Sequence, residues 1–216
     1  MQHRGEEDSD HSPPLRGGAE QDRAAQWERQ WSRSDFLPLW RTKEVPGEIR
    51  DAVERGWFPQ GARVLDVGCG SGEITAWLAA HGCPAIGIDI APSAIARAEE
   101  AHGDVPGLAF VVDDICARRE DRGSFDALLD RGCLHALPPH AKMDYVSSVS
   151  GLVGPGAPFL LLYGCPPAVE PAEETVREVE KLCGATFAIQ SVAQIVMAGD
   201  ATPDIRRGVA ICMARR

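Results

Sequence analysis

The chain has 216 residues, enough for one domain with a sizeable core. Its 44% hydrophobic and 25% charged residues suit a soluble globular protein, and no apolar run approaches the ~18 residues that span a bilayer. A formal net charge of -10 argues against a nucleic-acid partner, because an acidic surface repels a phosphate backbone.

Residues 1–24 contain no aromatic residue and one leucine. The stretch MQHRGEEDSDHS lacks the apolar centre of a secretory signal. Too little surface can be buried to offset chain entropy, so a disordered tail is expected over 1–24 and one domain over 25–216. Composition then changes: Trp27, Trp31, Phe36 and Trp40 follow within fourteen residues. Trp27 and Trp31 are four apart and share a helical face. Such a segment either staples itself to the core or covers a ligand.

Beyond residue 60, strands and helices alternate. ARVLDVG reads as a buried strand. SGEITAWLAAHG reads as a helix with Ile74, Trp77 and Leu78 on one face and Gly82 as its stop. PAIGIDI is a second strand and APSAIARAEEAHG a second helix, with Pro92 near its first turn. LAFVVDD and FDALLD are the third and fourth strands. PPHAKMDYVSSVSGLV is a helix, APFLLLYG a fifth strand, and EPAEETVREVEKLCG a helix with Val176, Val179 and Leu182 inward. TFAIQSVAQIVM and GVAICMA close the chain as strands. This alternation predicts an α/β, Rossmann-like, doubly wound parallel sheet.

The most specific stretch is VLDVGCGSG, residues 64–72, where three glycines occupy alternate positions after the first strand. A merely tight turn would need one glycine. Three at the carboxyl edge of the sheet imply a ligand held close to the backbone. The dinucleotide fingerprint G-x-G-x-x-G fails in both frames, because Glu73 or Thr75 stands where its third glycine should be. The acids Asp66 and Glu73 flanking the loop would repel a pyrophosphate and favour a cation, such as the sulfonium and ammonium of S-adenosylmethionine. Asp89, ending the second strand, suits the two hydroxyls of a ribose. Asp113 and Asp114 end the third strand at the same edge.

VLDVGCGSG, GIDIAPSAI, FVVDDI, FDALLDRGCLHALPP and GPGAPFLLL resemble the successive motifs of class I S-adenosylmethionine-dependent methyltransferases, over roughly residues 60–165. The resemblance implies a seven-stranded sheet, mostly parallel with an antiparallel last strand, here GVAICMA. It implies that Asp66, Gly68 and Gly70 border the methionine part of S-adenosylmethionine. Asp89 would hold the ribose and Ile90 would lie against the adenine. Asp114 would receive the adenine amino group beside the Ile115 backbone. Asp130 and Arg131 would bring their backbone to the amino-acid end. S-adenosylhomocysteine would be the product. More narrowly, DRGCLHALPP and the tryptophan-rich entry resemble small bacterial methyltransferases of the thiopurine- and thiol-methyltransferase-like group, which implies a small acceptor.

The (N/D)-P-P-(Y/F) element of enzymes that methylate planar amines is missing; Asp130-Arg-Gly-Cys133 stands in its place. A small-molecule acceptor at O, N or S follows, with no nucleic acid and no membrane as partner. His135, five residues past the fourth strand, is the candidate general base, since a histidine of ordinary pKa, about 6.5, can take a proton at neutral pH. It could equally pack beside the next helix. Tyr163 at the end of the fifth strand could point into the pocket or simply pack. Cys133 would be a nucleophile only if exposed and acidic. Seven cysteines, an odd number with no C-x-x-C spacing, read as small buried hydrophobes in a reducing cytoplasm, without disulfides or a metal. The competing readings are a nicotinamide-dependent oxidoreductase and a non-catalytic S-adenosylmethionine-binding module.

Overall fold

The computed structural model describes residues 17–38, 40–42, 44–117, 123–164, 171–197 and 207–216. In chain order the elements are α1 (Gly17–Trp31), α2 (Gly47–Glu54), β1 (Val64–Val67), α3 (Glu73–Ala80), β2 (Ala85–Asp89), α4 (Pro92–His102), β3 (Leu108–Val112) and β4 (Ala127–Arg131). They continue with α5 (Cys133–Ala136), α6 (Pro139–Gly151), β5 (Pro158–Gly164), α7 (Pro171–Cys183), β6 (Phe187–Val196) and β7 (Arg207–Arg215). Every strand expected from the alternation is present. Helices α2 and α5 are additions.

The seven strands form one sheet in the order β3-β2-β1-β4-β5-β7-β6. The first five are mutually parallel, and β7 runs antiparallel to both β5 and β6. Strand order reverses between β1, which pairs with β2, and β4 on its other side. The carboxyl ends of β1 and β4 therefore frame the crevice where α/β sheets bind ligands.

Side chains alternate across the pleat, so each strand feeds two cores. Leu65, Val67, Leu128, Phe159, Leu161 and Ile211 face one side, against Tyr145 and Val149 of α6 and Val179 of α7. Val64, Ala85, Leu129, Leu160, Leu162 and Ala210 face the other, against Ile49 of α2 and Leu78 of α3.

The expected boundary at residue 24 is displaced. Residues 1–16 lie outside the described residues, but 17–24 are the first turns of α1. The composition there is polar, yet Trp27 and Trp31 further along anchor the helix, and Arg23 pairs with Asp114 at 2.6 Å. A helix held at one end by aromatic packing extends through polar residues at little cost, since each added residue contributes one hydrogen bond. Trp31 packs on Ala91 and Ala94 of α4. Trp27, Phe36 and Trp40 add edge-on contacts, with centroids 5.9 Å apart for Trp27–Trp40 and 6.2 Å for Phe36–Trp40.

Candidate active site

The glycine turn after β1 has positive φ at all three glycines: +74° at Gly68, +56° at Gly70 and +82° at Gly72. Each also has a close neighbour. A Cβ would sit 2.8 Å from Cβ of Cys133 at Gly68, 3.1 Å from the Trp31 ring at Gly70, and 2.5 Å from the Phe110 ring at Gly72. Gly72 thus lets α3 pack against β3, whereas Gly68 and Gly70 line a cavity. Both conformation and space exclude a side chain at Gly68.

The turn is held from β2. Asp89 accepts Gly70 N–H at 3.0 Å through Oδ2 and Ala91 N–H at 2.9 Å through Oδ1. Each carboxylate oxygen has a second lone pair, so the acid can organise the turn and still face a ribose. Burial raises the Asp89 pKa against the opposing N–H donors of Ala91, Gly70 and Ile90. At the end of β3, Asp114 accepts Cys116 N–H at 2.9 Å and pairs with Arg23.

These groups share one cavity of about 630 Å³. Gly68, Gly70, Asp89, Ile90, Asp113, Asp114 and Ile115 line one end. Trp27, Trp31 and Trp40 line it from α1 and the following segment, so the aromatic entry both staples to α4 and covers the cavity. His135, Lys142, Tyr163, Glu178, Arg131 and Met197 line the other parts. The described residues hold no group of His, Cys, Asp and Glu fit for a metal ion.

Two of the expected residues are not among those that line the cavity. Asp66 is buried, receives the Thr75 hydroxyl at 2.6 Å, and does not line the cavity. Burial pushes its carboxyl up to about 7, against the Thr75 hydrogen bond and with help from the charges of Asp130 and Asp89. Asp130 is also buried behind the wall. It accepts Cys133 N–H at 2.8 Å and Leu134 N–H at 2.9 Å, capping α5, and receives the Tyr145 hydroxyl. Burial raises it to about 6 despite these donors. What reaches the cavity at this place is Arg131, Gly132 and Cys133, positioned by the Asp130 cap. The two acids lie on opposite faces of the sheet, Asp66 beneath α3 and Asp130 beneath α5 and α6, and each is turned inward on its own face.

His135 lines the cavity, with Nδ1 accepting Gly164 N–H at 3.1 Å. Its ring stands edge-on to Tyr163, 5.5 Å between centroids. Accepting at Nδ1 places the proton of the neutral ring on Nε2 and occupies the nitrogen a general base would use. Burial pushes the Cys133 thiol well above the ordinary range and Asp130 adds to this, which disfavours it as a nucleophile. The Tyr163 hydroxyl accepts Lys142 Nζ–H at 2.7 Å and donates to Glu178 Oε1 at 3.0 Å, while Lys142 donates to the same Oε1 at 2.6 Å. Lys142 and Glu178 escape a sequence reading because charged residues on surface helices look alike. Their one signal is position: Lys142 lies one turn from buried Tyr145 and Val146, and Glu178 adjoins buried Val179.

The chain resembles several known proteins. The Mycobacteroides abscessus 2-heptyl-1-hydroxyquinolin-4(1H)-one methyltransferase is 31% identical over 58% of the chain and 55% of the relative. The thiopurine S-methyltransferase of Nitrosospira multiformis is 25% identical over 74% of the chain and 84% of the relative. The chain spans 55–61% of the length of several curated relatives it matches. The fold matches the solved Burkholderia thailandensis 1,6-didemethyltoxoflavin-N1-methyltransferase, bound to its substrate and S-adenosylhomocysteine, with a TM-score of 0.68. That match has 21% identity and covers 95% of this chain and 92% of the other. The model of the family described as thiopurine S-methyltransferase matches residues 22–210, from α1 to β7, so the chain belongs to that family.

Proposed function

We propose that this protein transfers a methyl group from S-adenosylmethionine to a small, flat acceptor at O, N or S. The observation that carries this reading is the single cavity joining the glycine turn and Asp89 to the His135 and Tyr163 end. A cofactor and an acceptor can meet in it without crossing solvent.

The residues fit the cofactor. Gly68 and Gly70 leave room for close backbone approach, Asp89 has lone pairs left for ribose hydroxyls, and Asp114 offers a carboxylate to an adenine amino group. Ile90 and Ile115 give the adenine apolar walls. The acidic lining suits a sulfonium and an ammonium better than a pyrophosphate, which disfavours the nicotinamide reading. When bound, S-adenosylmethionine supplies an already activated methyl electrophile. The protein's part is alignment and exclusion of water, with Trp27, Trp31 and Trp40 as the cover.

Three further considerations support a small acceptor. Relatives act on a hydroxyquinolone and on thiopurines by name. Tryptophan faces favour planar rings. The net charge of -10 disfavours nucleic acid. The six described cysteines are unpaired, as a cytoplasmic setting would allow. Among the described residues no helix is long and apolar enough to cross a membrane.

Calorimetric titration of the full chain tests the reading. S-adenosylmethionine and S-adenosylhomocysteine should bind and NAD should not. Binding of NAD alone would reinstate the oxidoreductase. Binding of S-adenosylmethionine without label transfer to any member of an acceptor screen would favour a non-catalytic module.

A further inference from the structure

The acceptor end of the cavity is built from hydrogen-bond donors. Lys142 on α6 reaches across to Tyr163 on β5 and Glu178 on α7, closing a triangle of 2.7, 3.0 and 2.6 Å. Its side chain is 12% exposed. An ammonium has three N–H bonds, and two are used here; the third has no partner among the described residues. Arg131 donates to the Trp40 carbonyl at 2.9 Å, while its buried Nε–H has no hydrogen-bond partner. A buried N–H without a partner costs free energy, so such donors favour a ligand that accepts.

Proton acceptors are scarce at this end. The Tyr163 hydroxyl is driven far up by burial, by its hydrogen bond to Glu178 and by the nearby charges of Glu178, Asp130 and Cys183, so it does not act as a phenolate. Partial burial works against the Glu178 charge, but hydrogen bonds from Lys142 and Tyr163 hold its carboxyl below the ordinary range, making it a weak base. Asp66 and Asp130 are stronger bases but lie behind the wall.

We propose that Lys142 is the specificity residue of this site and that it selects the acceptor in its ionised form, bound as an anion. This rests on the methyltransferase reading. The acceptor loses its proton to solvent on binding. Its lone pair then forms the bond to the methyl carbon as the carbon–sulfur bond breaks. The bonding pair stays on sulfur, leaving neutral S-adenosylhomocysteine. No enzyme base takes part. Lys142 acts by favouring the ionised form, and Glu178 limits how strongly.

The test uses 4-nitrophenol, whose anion is yellow, titrated into the full chain saturated with S-adenosylhomocysteine. Bound nitrophenol should show an apparent pKa lowered by about one unit or more, a tenfold preference for the anion. Lys142→Met should abolish the shift and weaken binding of the anion roughly tenfold or more, the size of a charge-assisted hydrogen bond. Lys142→Arg should restore most of it. Glu178→Gln should lower the pKa further and tighten the anion, because a competing negative charge is gone. A merely structural role would make both Lys142→Met and Glu178→Gln loosen binding alike. That result, an unshifted spectrum, or no binding of nitrophenol would overturn the proposal. Failure to bind S-adenosylhomocysteine, measured first by calorimetry, would instead overturn the methyltransferase reading.

Discussion

At the glycine-turn end, the cavity is lined by backbone and short acids within one stretch, residues 67–115. At the other end the lining is long side chains on separate elements: Arg131, His135, Lys142, Tyr163 and Glu178. The first end is rigid, since Asp89 ties the turn to β2 and α4 through two backbone N–H groups. The second can be retuned by single substitutions without disturbing a strand. A cofactor common to a family calls for the first kind of site, and acceptors that differ between members call for the second.

Removing the tie should do the most damage. Asp89→Ala should weaken S-adenosylmethionine binding by about 2–3 kcal/mol, roughly 30- to 150-fold, since it loses ribose bonds and frees two N–H donors. Calorimetry gives the answer directly, and unchanged affinity would place the ribose elsewhere.

The buried acids behind the wall should show in stability rather than binding. Asp66 and Asp130 are raised to about 7 and about 6, so their folded carboxyls hold protons more tightly than unfolded ones. Their contribution is therefore greatest at low pH and is lost as pH rises from the ordinary carboxylate range towards about 7. Each acid adds at most about 1.4 kcal/mol per pH unit in that window. Asp66→Asn should flatten part of this decline in thermal melts between pH 4.5 and 7.5, about the window named. Parallel curves for wild type and variant would show that Asp66 titrates normally.

Gly68→Ala tests the rigidity of the turn. It combines φ of +74° with a Cβ 2.8 Å from Cys133 and should cost about 1–3 kcal/mol in the melt. Gly61→Ala, at φ +79° with open space, reports the backbone part alone and should cost less. Equal losses would mean that the close approach to Cys133 relaxes freely.

The smallest effect is expected at His135. A general base would lose about 10²- to 10⁴-fold in turnover on removal. With Nδ1 engaged by Gly164 N–H, His135→Gln should lose less than about tenfold and keep the shape of the pH–rate profile. A hundredfold loss with a vanished inflection would restore the base.

The order of strands, their parallel run and the place of the glycine turn were legible in the sequence, because periodicity and turn residues act over a few neighbours. Gly68, Gly70, Asp89 and Asp114 could be named from their position at strand ends, where topology decides what faces the crevice. Tertiary packing decided the rest. Asp66 was expected to border the ligand and Asp130 to bring its backbone there, but the pleat turned both carboxyls inward, to Thr75 and to Tyr145 and the start of α5. Arg23 read as part of a tail until packing of Trp31 on α4 fixed the helix that carries it. Lys142 and Glu178 are 36 residues apart, and only the approach of α6 and α7 over β5 brings them within 2.6 Å. A local code carries no such distance; it arises when two cores are filled at once, and the side chains left at the seam become part of the cavity wall.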